Sequence, residues 1–174
     1  SSNAYGLGST NGTVTLSGGG VLDLGGFSQQ QTSITLNGGT IQHGSITNTT
    51  LNGTSDNNTT TASIVGNGAV TNSGGTNTLT ASNSYTGNTY ITGGTLVSSN
   101  NNALGNTGNN VYISNGTLNI ASGITNTQSG ITLTNATISG QKLNVLGSIF
   151  ANAGTSLISA QIAGGGNFFN NGGT

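Results

Sequence analysis

Short apolar alternations recur along this chain, each broken in the middle by small residues. VTLSGGGVLDL runs from Val14 to Leu24, ITLNGGTIQHG from Ile34 to Gly44 and YITGGTLVS from Tyr90 to Ser98. VYISNGTLNI begins at Val111 and ITLTNATISG at Ile131. Each reads as two strands of period two around a Gly- or Asn-bearing turn. Just before the turn stands Leu16, Leu36, Ile91, Ile113 or Leu133. Most of these are spaced by about 20 residues, the period of a short-strand repeat array. The longer interval from Leu36 to Ile91 is divided nearly in half by Ile64, which predicts coils there of roughly 28 residues. A second apolar column follows the turns at Leu22, Ile41, Val70, Leu96, Leu118 and Ile138.

Such a period predicts a solenoid rather than a sandwich. The expected class is all-β: a parallel β-helix in which each period is one coil and equivalent residues stack about 4.8 Å apart. Aliphatic side chains then sit on one another inside, with Thr and Asn on the skin. Seven or eight coils fit, giving a rod of roughly 35 Å.

Composition sharpens this picture. Gly alone takes 32 of the 174 positions, and with Thr, Asn and Ser it fills well over half the chain. Charged residues are 2%, and Pro and Cys are absent. A chain so polar cannot build a thick core, but its β-branched alternations suit a narrow one. Gly and Asn serve turns with positive φ, and stacked amides can bond coil to coil. Missing Pro leaves every strand donor in place.

The sequence also repeats at longer range. IVGNGAVTNSGGT at 64–76 returns as IAGGGNFFNNGGT at 162–174, with seven identities in thirteen positions. Residues 162–174 therefore read as the start of a further repeat, and 1–174 as a piece of one longer solenoid domain. Ser1-Ser2-Asn3-Ala4 reads as a remnant of tag cleavage.

TLTASNSYTGNTYITGGTLVSSNNNALG, residues 78–105, resembles the passenger-associated transport repeat of bacterial autotransporters. The resemblance rests on Tyr85-Thr86-Gly87, on Gly93-Gly94-Thr95-Leu96 and on the closing Ala103-Leu104-Gly105. It implies a right-handed, single-stranded parallel β-helix that is displayed on the surface of a Gram-negative cell or secreted. Its partner in export would be its own C-terminal outer-membrane β-barrel. Further implied partners are a host surface, matrix or glycan, or like passengers on other cells. The repeat itself is associated with secretion, through folding of one coil upon the last. Passengers of this kind act as adhesins, aggregation factors, toxins or enzyme carriers.

Chemistry is sparse. Lys142 is the one Lys or Arg, so nucleic acid and anionic membranes lack the cations they need. No apolar run approaches the length of a membrane span, so no insertion by this segment is expected. Asp23, between Leu22 and Leu24, points outward by alternation; Asp56 in GTSDNNTTT reads as a turn residue. The two lie more than one period apart and form no carboxylate pair. His43 aligns with Leu24 and Ile120, at the end of an inward column or, after slippage, in solvent. A lone His without Cys is a poor metal ligand. A Ser-His-Asp set can be written from Asp56, His43 and any Ser, which in so Ser-rich a chain carries no information. The expectation is no catalytic residue, no metal and no cofactor.

The aromatic residues offer the remaining candidate. Tyr90 and Tyr112 each precede an inward Ile, so they face outward on successive coils, either as a contact surface for a sugar or partner or as ordinary cross-strand support. Phe168-Phe169 is expected on an exposed coil. The leading expectation is a non-enzymatic surface stalk supporting adhesion or cell–cell aggregation. The alternatives are a segment of a vacuolating or pore-forming toxin, or an ice-binding Thr-ladder solenoid.

Overall fold

The chain is all-β, and its strands stack as coils of a parallel β-solenoid of about eight turns. The computed structural model describes residues 6–172, which contain no helix. The residues read as a tag remnant, and the end of the 162–174 echo, lie outside that range. Three sheets wrap the coil. The first has nine strands, beginning with Thr13–Ser17, Ser33–Asn37 and Thr50–Ser55 and ending with Phe168–Asn170. The second carries the strands that follow the turns, from Val21–Asp23 to Leu157–Ile158. A third, of Ser28–Gln30, Ser45–Thr47 and Ser63–Val65, closes the early coils.

Every strand pairing is parallel, and the register fixes the coil length. One inward file of the first sheet runs Val14, Ile34, Leu51, Val70, Thr89, Val111, Ile131, Ile149, Phe168. Its members follow one another at roughly 20 residues. Even the longest interval, from Thr89 to Val111, falls short of the long coils expected around Ile64. The second inward file runs Leu16, Leu36, Gly53, Asn72, Ile91, Ile113, Leu133, Ala151. The five aliphatic residues expected in one file are therefore together.

Ile64 is not among them. It stacks on Ile46 in the third sheet, and the places expected for it are held by Gly53 and Asn72. The cause is register: after Gly53 on the first sheet the chain passes through Asn57–Thr60 on the second, so Ile64 arrives on Ser63–Val65 of the third. A Cβ on Gly53 would come within 2.8 Å of the Asn72 and Asn77 amides, which already occupy the interior there. The expected post-turn column also divides. Leu22 and Ile41 share one file of the second sheet, and Leu96, Leu118 and Ile138 share the other inward file of that sheet. Val70 belongs to the first sheet.

The interior is a continuous aliphatic filling, with Leu24, Ile41, Ile46, Leu51, Ile64, Leu79, Leu96, Leu104 and Leu118 fully buried. Burial of each such side chain contributes about 1.5–3 kcal/mol. Buried amides hold neighbouring coils together where aliphatic residues are missing. Asn83 accepts from Ile64 N–H and donates to the Ala103 carbonyl on the coil after. Asn58 accepts from the N–H groups of Gly38 and Gly39. These bonds run from amide to backbone; the amide-to-amide bonds expected of stacked Asn residues lie on the surface, where Asn135 Nδ2 donates to Asn115 Oδ1 and Asn171 Nδ2 to Asn152 Oδ1, each at 3.4 Å.

The turns follow the same logic. Asn115 and Asn135 occupy equivalent corners with φ of 59° and 47°, and Gly18, Gly38 and Gly94 take that region at theirs. Asn tolerates it because its short polar side chain bonds locally.

Candidate functional site

Residues 78–105 map onto little more than one coil. Thr76–Leu79 lies on the second sheet, Thr89–Ile91 on the first, and Thr95–Ser98 returns to the second. Between the first two strands the chain is irregular yet fully stacked: Ser84 and Thr86 donate to the carbonyls of Ile64 and Gly66 on the coil before. Tyr85 points into the coil and is fully buried. Its hydroxyl lies 2.7 Å from Thr89 Oγ1, so both polar atoms are satisfied inside the core. Burial pushes the Tyr85 phenol above its ordinary value, with the Thr89 hydrogen bond acting against that shift.

The motif glycines are the places where coils touch backbone to backbone. A Cβ on Gly87 would fall 2.4 Å from the Gly68 carbonyl oxygen, and one on Gly94 2.2 Å from that of Gly75. Gly94 and Gly105 also have positive φ, 63° and 77°. Gly105 lies under the Tyr85 ring, whose Cε2 a Cβ there would meet at 2.9 Å. Ala103, Leu104 and Leu96 are fully buried; Thr86 is on the surface; Gly93 and Thr95 sit at the turn into the second sheet. Most of the residues that carry the motif thus fill one coil or press it on its neighbour.

Tyr90 and Tyr112 do face outward on successive rungs. Their rings stack, with centroids 5.3 Å apart and planes 12° from parallel. The same outward file contains more than the two tyrosines: Thr15, Thr35, Asn52, Thr71, Tyr90, Tyr112, Thr132, Phe150, Phe169. Phe150 and Phe169 form a second stacked pair, centroids 5.2 Å apart. Each of the four rings is between 36% and 43% exposed. Phe168, beside Phe169, is 58% exposed on the inward file. Sequence reading missed Phe150 as part of this row. The signal was present, because Ile149-Phe150-Ala151 repeats the in-out-in order of Thr89-Tyr90-Ile91.

The ionisable groups follow expectation in part: Asp23 faces outward, Asp56 lies at a turn, and His43 takes the solvent-facing one of its two expected places. His43 is not at the end of an inward column. It takes a corner with φ 52°, its side chain is 67% exposed, and Nδ1 lies 2.9 Å from Oδ2 of Asp23 on the preceding coil. The carboxylate that meets His43 is therefore Asp23 and not Asp56. Asp23 also accepts from Gln42 Nε2 at 2.9 Å and from Gly25 N–H. These bonds, that of Gln42 first, hold the Asp23 carboxyl well below the usual carboxylate range. Asp56 is exposed at a turn with φ 55°, as expected, and Lys142 is half-buried beside buried Leu143. Among the described residues no three His, Cys, Asp or Glu side chains gather as metal ligands.

Comparisons with known protein families, with curated proteins and with solved structures find no match. The fold defines the class as a parallel β-solenoid.

Proposed function

We propose that this chain is a non-enzymatic segment of an autotransporter passenger: a rigid stalk at the surface of a Gram-negative cell that supports adhesion or cell–cell aggregation. The observation that carries the reading is the coincidence of sequence motif and stacking contact. Tyr85, Gly87, Gly94, Leu96, Leu104 and Gly105 fill one coil or close it on its neighbour. Residues recognised by their likeness to a transport repeat are thereby given a physical task, to make the addition of one coil favourable once its predecessor is in place. Repeated outside the cell, that step would draw the chain outward through its barrel. A skin of Thr, Asn and Ser with few charges leaves like rods little mutual repulsion, which suits side-by-side contact.

The register supplies a clean experiment in the full-length protein on its own cells. Deleting residues 89–110 removes the greater part of the motif, with Gly94, Leu96, Leu104 and Gly105, leaves Tyr85 and Gly87 in place, and joins Asn88 to Val111 in register. Deleting 111–130 removes a coil without it. Both variants should keep the solenoid. The first should reach the cell surface several-fold more slowly, read by protease accessibility after a pulse label, while the second should export normally. Equal export of the two, or no appearance of the unaltered protein at the surface, contradicts the reading.

A further inference from the structure

The outward file of the first sheet is an interrupted stack of rings. Tyr112 has one face on Tyr90, so its other face is turned along the file toward Thr132. Phe150 has one face on Phe169 and turns the other toward Thr132 from the opposite side. Two ring faces therefore look at each other across one missing ring. They are two rungs apart, about 9.6 Å at the usual strand spacing.

Gly130 leaves room here, and Asn110 Oδ1 leans over it, 2.8 Å from where a Cβ would stand. Beside Thr132 on the same rung is Gly130, which has no side chain; its outward neighbours are Asn110 on one rung and Ser148 on the other. The resulting notch has a volume of about 270 Å³. An apolar cavity of about 150 Å³ is enough for benzene, so this one has room for a ring bearing a substituent. Tyr112, Phe150, Thr132, Asn110 and Ser148 give it two aromatic walls and a rim of uncharged donors and acceptors.

We propose that this notch binds the neutral aromatic side chain of a peptide, a Tyr or Phe ring that slides between Tyr112 and Phe150 and completes a five-ring stack. The ladder itself sets the fit. A ring on the Thr132 rung sits about 5 Å from each neighbour, inside the range of offset-stacked aromatic pairs. The Tyr90–Tyr112 and Phe150–Phe169 pairs already adopt that separation. Both faces of the guest are desolvated at once, while its edge stays at the polar rim, where Asn110 and Ser148 reach the peptide backbone or a phenol. The notch has no charged side chain to select an ionic ligand. This binding function is independent of the export role proposed above, since the notch lies outside residues 78–105.

The test is a titration of the 174-residue chain with N-acetyltyrosinamide, followed by amide NMR shifts of Gly130, Gly147 and Thr132. N-acetylleucinamide serves as a control for apolarity and cellobiose for stacking by a sugar. Saturable shifts confined to these rungs, with half-saturation in the millimolar range or below, are expected for the aromatic probe alone. Thr132→Tyr fills the notch with the chain's own ring and should abolish binding. Tyr112→Leu and Phe150→Leu, both at exposed positions that leave the core intact, should each weaken binding about tenfold. No saturable shift, equal shifts with the leucine probe, preferential binding of cellobiose, or undiminished binding in both leucine variants would overturn the proposal.

Discussion

The hydroxyl of Tyr85 lies 2.7 Å from that of Thr89, with both side chains sealed inside the solenoid. The contact ties the irregular corner of one coil to the start of the strand that follows it. Thr89 stands in a file otherwise made of Val, Ile and Leu through this part of the stack, so its hydroxyl needs a partner there. Tyr85→Phe leaves that hydroxyl unpaired and should cost about 1–2 kcal/mol in denaturant unfolding. Tyr85→Ala also opens a cavity and should cost about 3–5 kcal/mol.

The same burial predicts behaviour in alkali. The Tyr85 phenol is raised above its ordinary value in the folded chain, while in the unfolded chain it ionises near about 10. Its contribution to stability is complete below that pH and is lost as pH rises beyond it. The unfolding midpoint should fall above about pH 10, less so in Tyr85→Phe, as denaturant titrations at stepped pH would read directly.

At the acid end the relevant carboxylate is Asp23, held low first by Gln42 and then by His43 and Gly25. Its contribution is present above the unfolded value of about 3.9 and is lost as pH falls below it. Wild type and Asp23→Asn should therefore differ slightly in thermal midpoint at about pH 5, and the difference should shrink below about pH 4. A gap that widens on acidification would contradict this arrangement.

One interior position is poorly served. Asn77 is fully buried next to Leu96 in its file, and neither its Nδ2 nor its Oδ1 has a hydrogen-bond partner. Removing an unsatisfied buried amide in favour of an aliphatic group of similar size is stabilising when the space allows. Asn77→Leu should raise stability by about 1–2 kcal/mol in urea unfolding; a loss would show that the amide is needed where it stands.

Glycines at coil contacts should differ sharply from those in the open. A Cβ on Gly68 would lie 1.9 Å from the Thr49 carbonyl oxygen, whereas one on Gly165 meets nothing within 4 Å. Gly68→Ala should cost more than about 2 kcal/mol, because two coils must part. Gly165→Ala should be neutral within about 0.5 kcal/mol. Thermal midpoints of the pair decide it.

The coil is legible in the sequence wherever its inward places are aliphatic. Leu16, Leu36, Ile91, Ile113 and Leu133 are spaced by one or more whole coils, and alternation alone aligns them. It is illegible at Gly53, Asn58, Asn72 and Asn77, where small or polar residues hold interior places and no hydrophobic pattern marks them. Ile64 then draws the alignment to itself although it faces a different sheet. The outward Tyr90–Tyr112 pair is readable from alternation. Extending that row to Phe150 and Phe169 requires the true coil lengths, since the coil from Ile131 to Ile149 is shorter than those on either side of it. The His43–Asp23 contact is hidden for another reason: it joins a corner residue with positive φ to a strand residue, and alternation says nothing about corners.

The coils stack in parallel instead of folding back as hairpins at each turn. Methyl-to-methyl NOEs in a selectively labelled sample test this most directly. The stacked arrangement predicts cross-peaks of Leu16 with Leu36, of Ile91 with Ile113 and of Ile113 with Leu133, each pair one coil apart in sequence. Antiparallel contacts across the turns, such as backbone NOEs pairing Leu16 with Val21 or Ile113 with Leu118, in place of those peaks would contradict it.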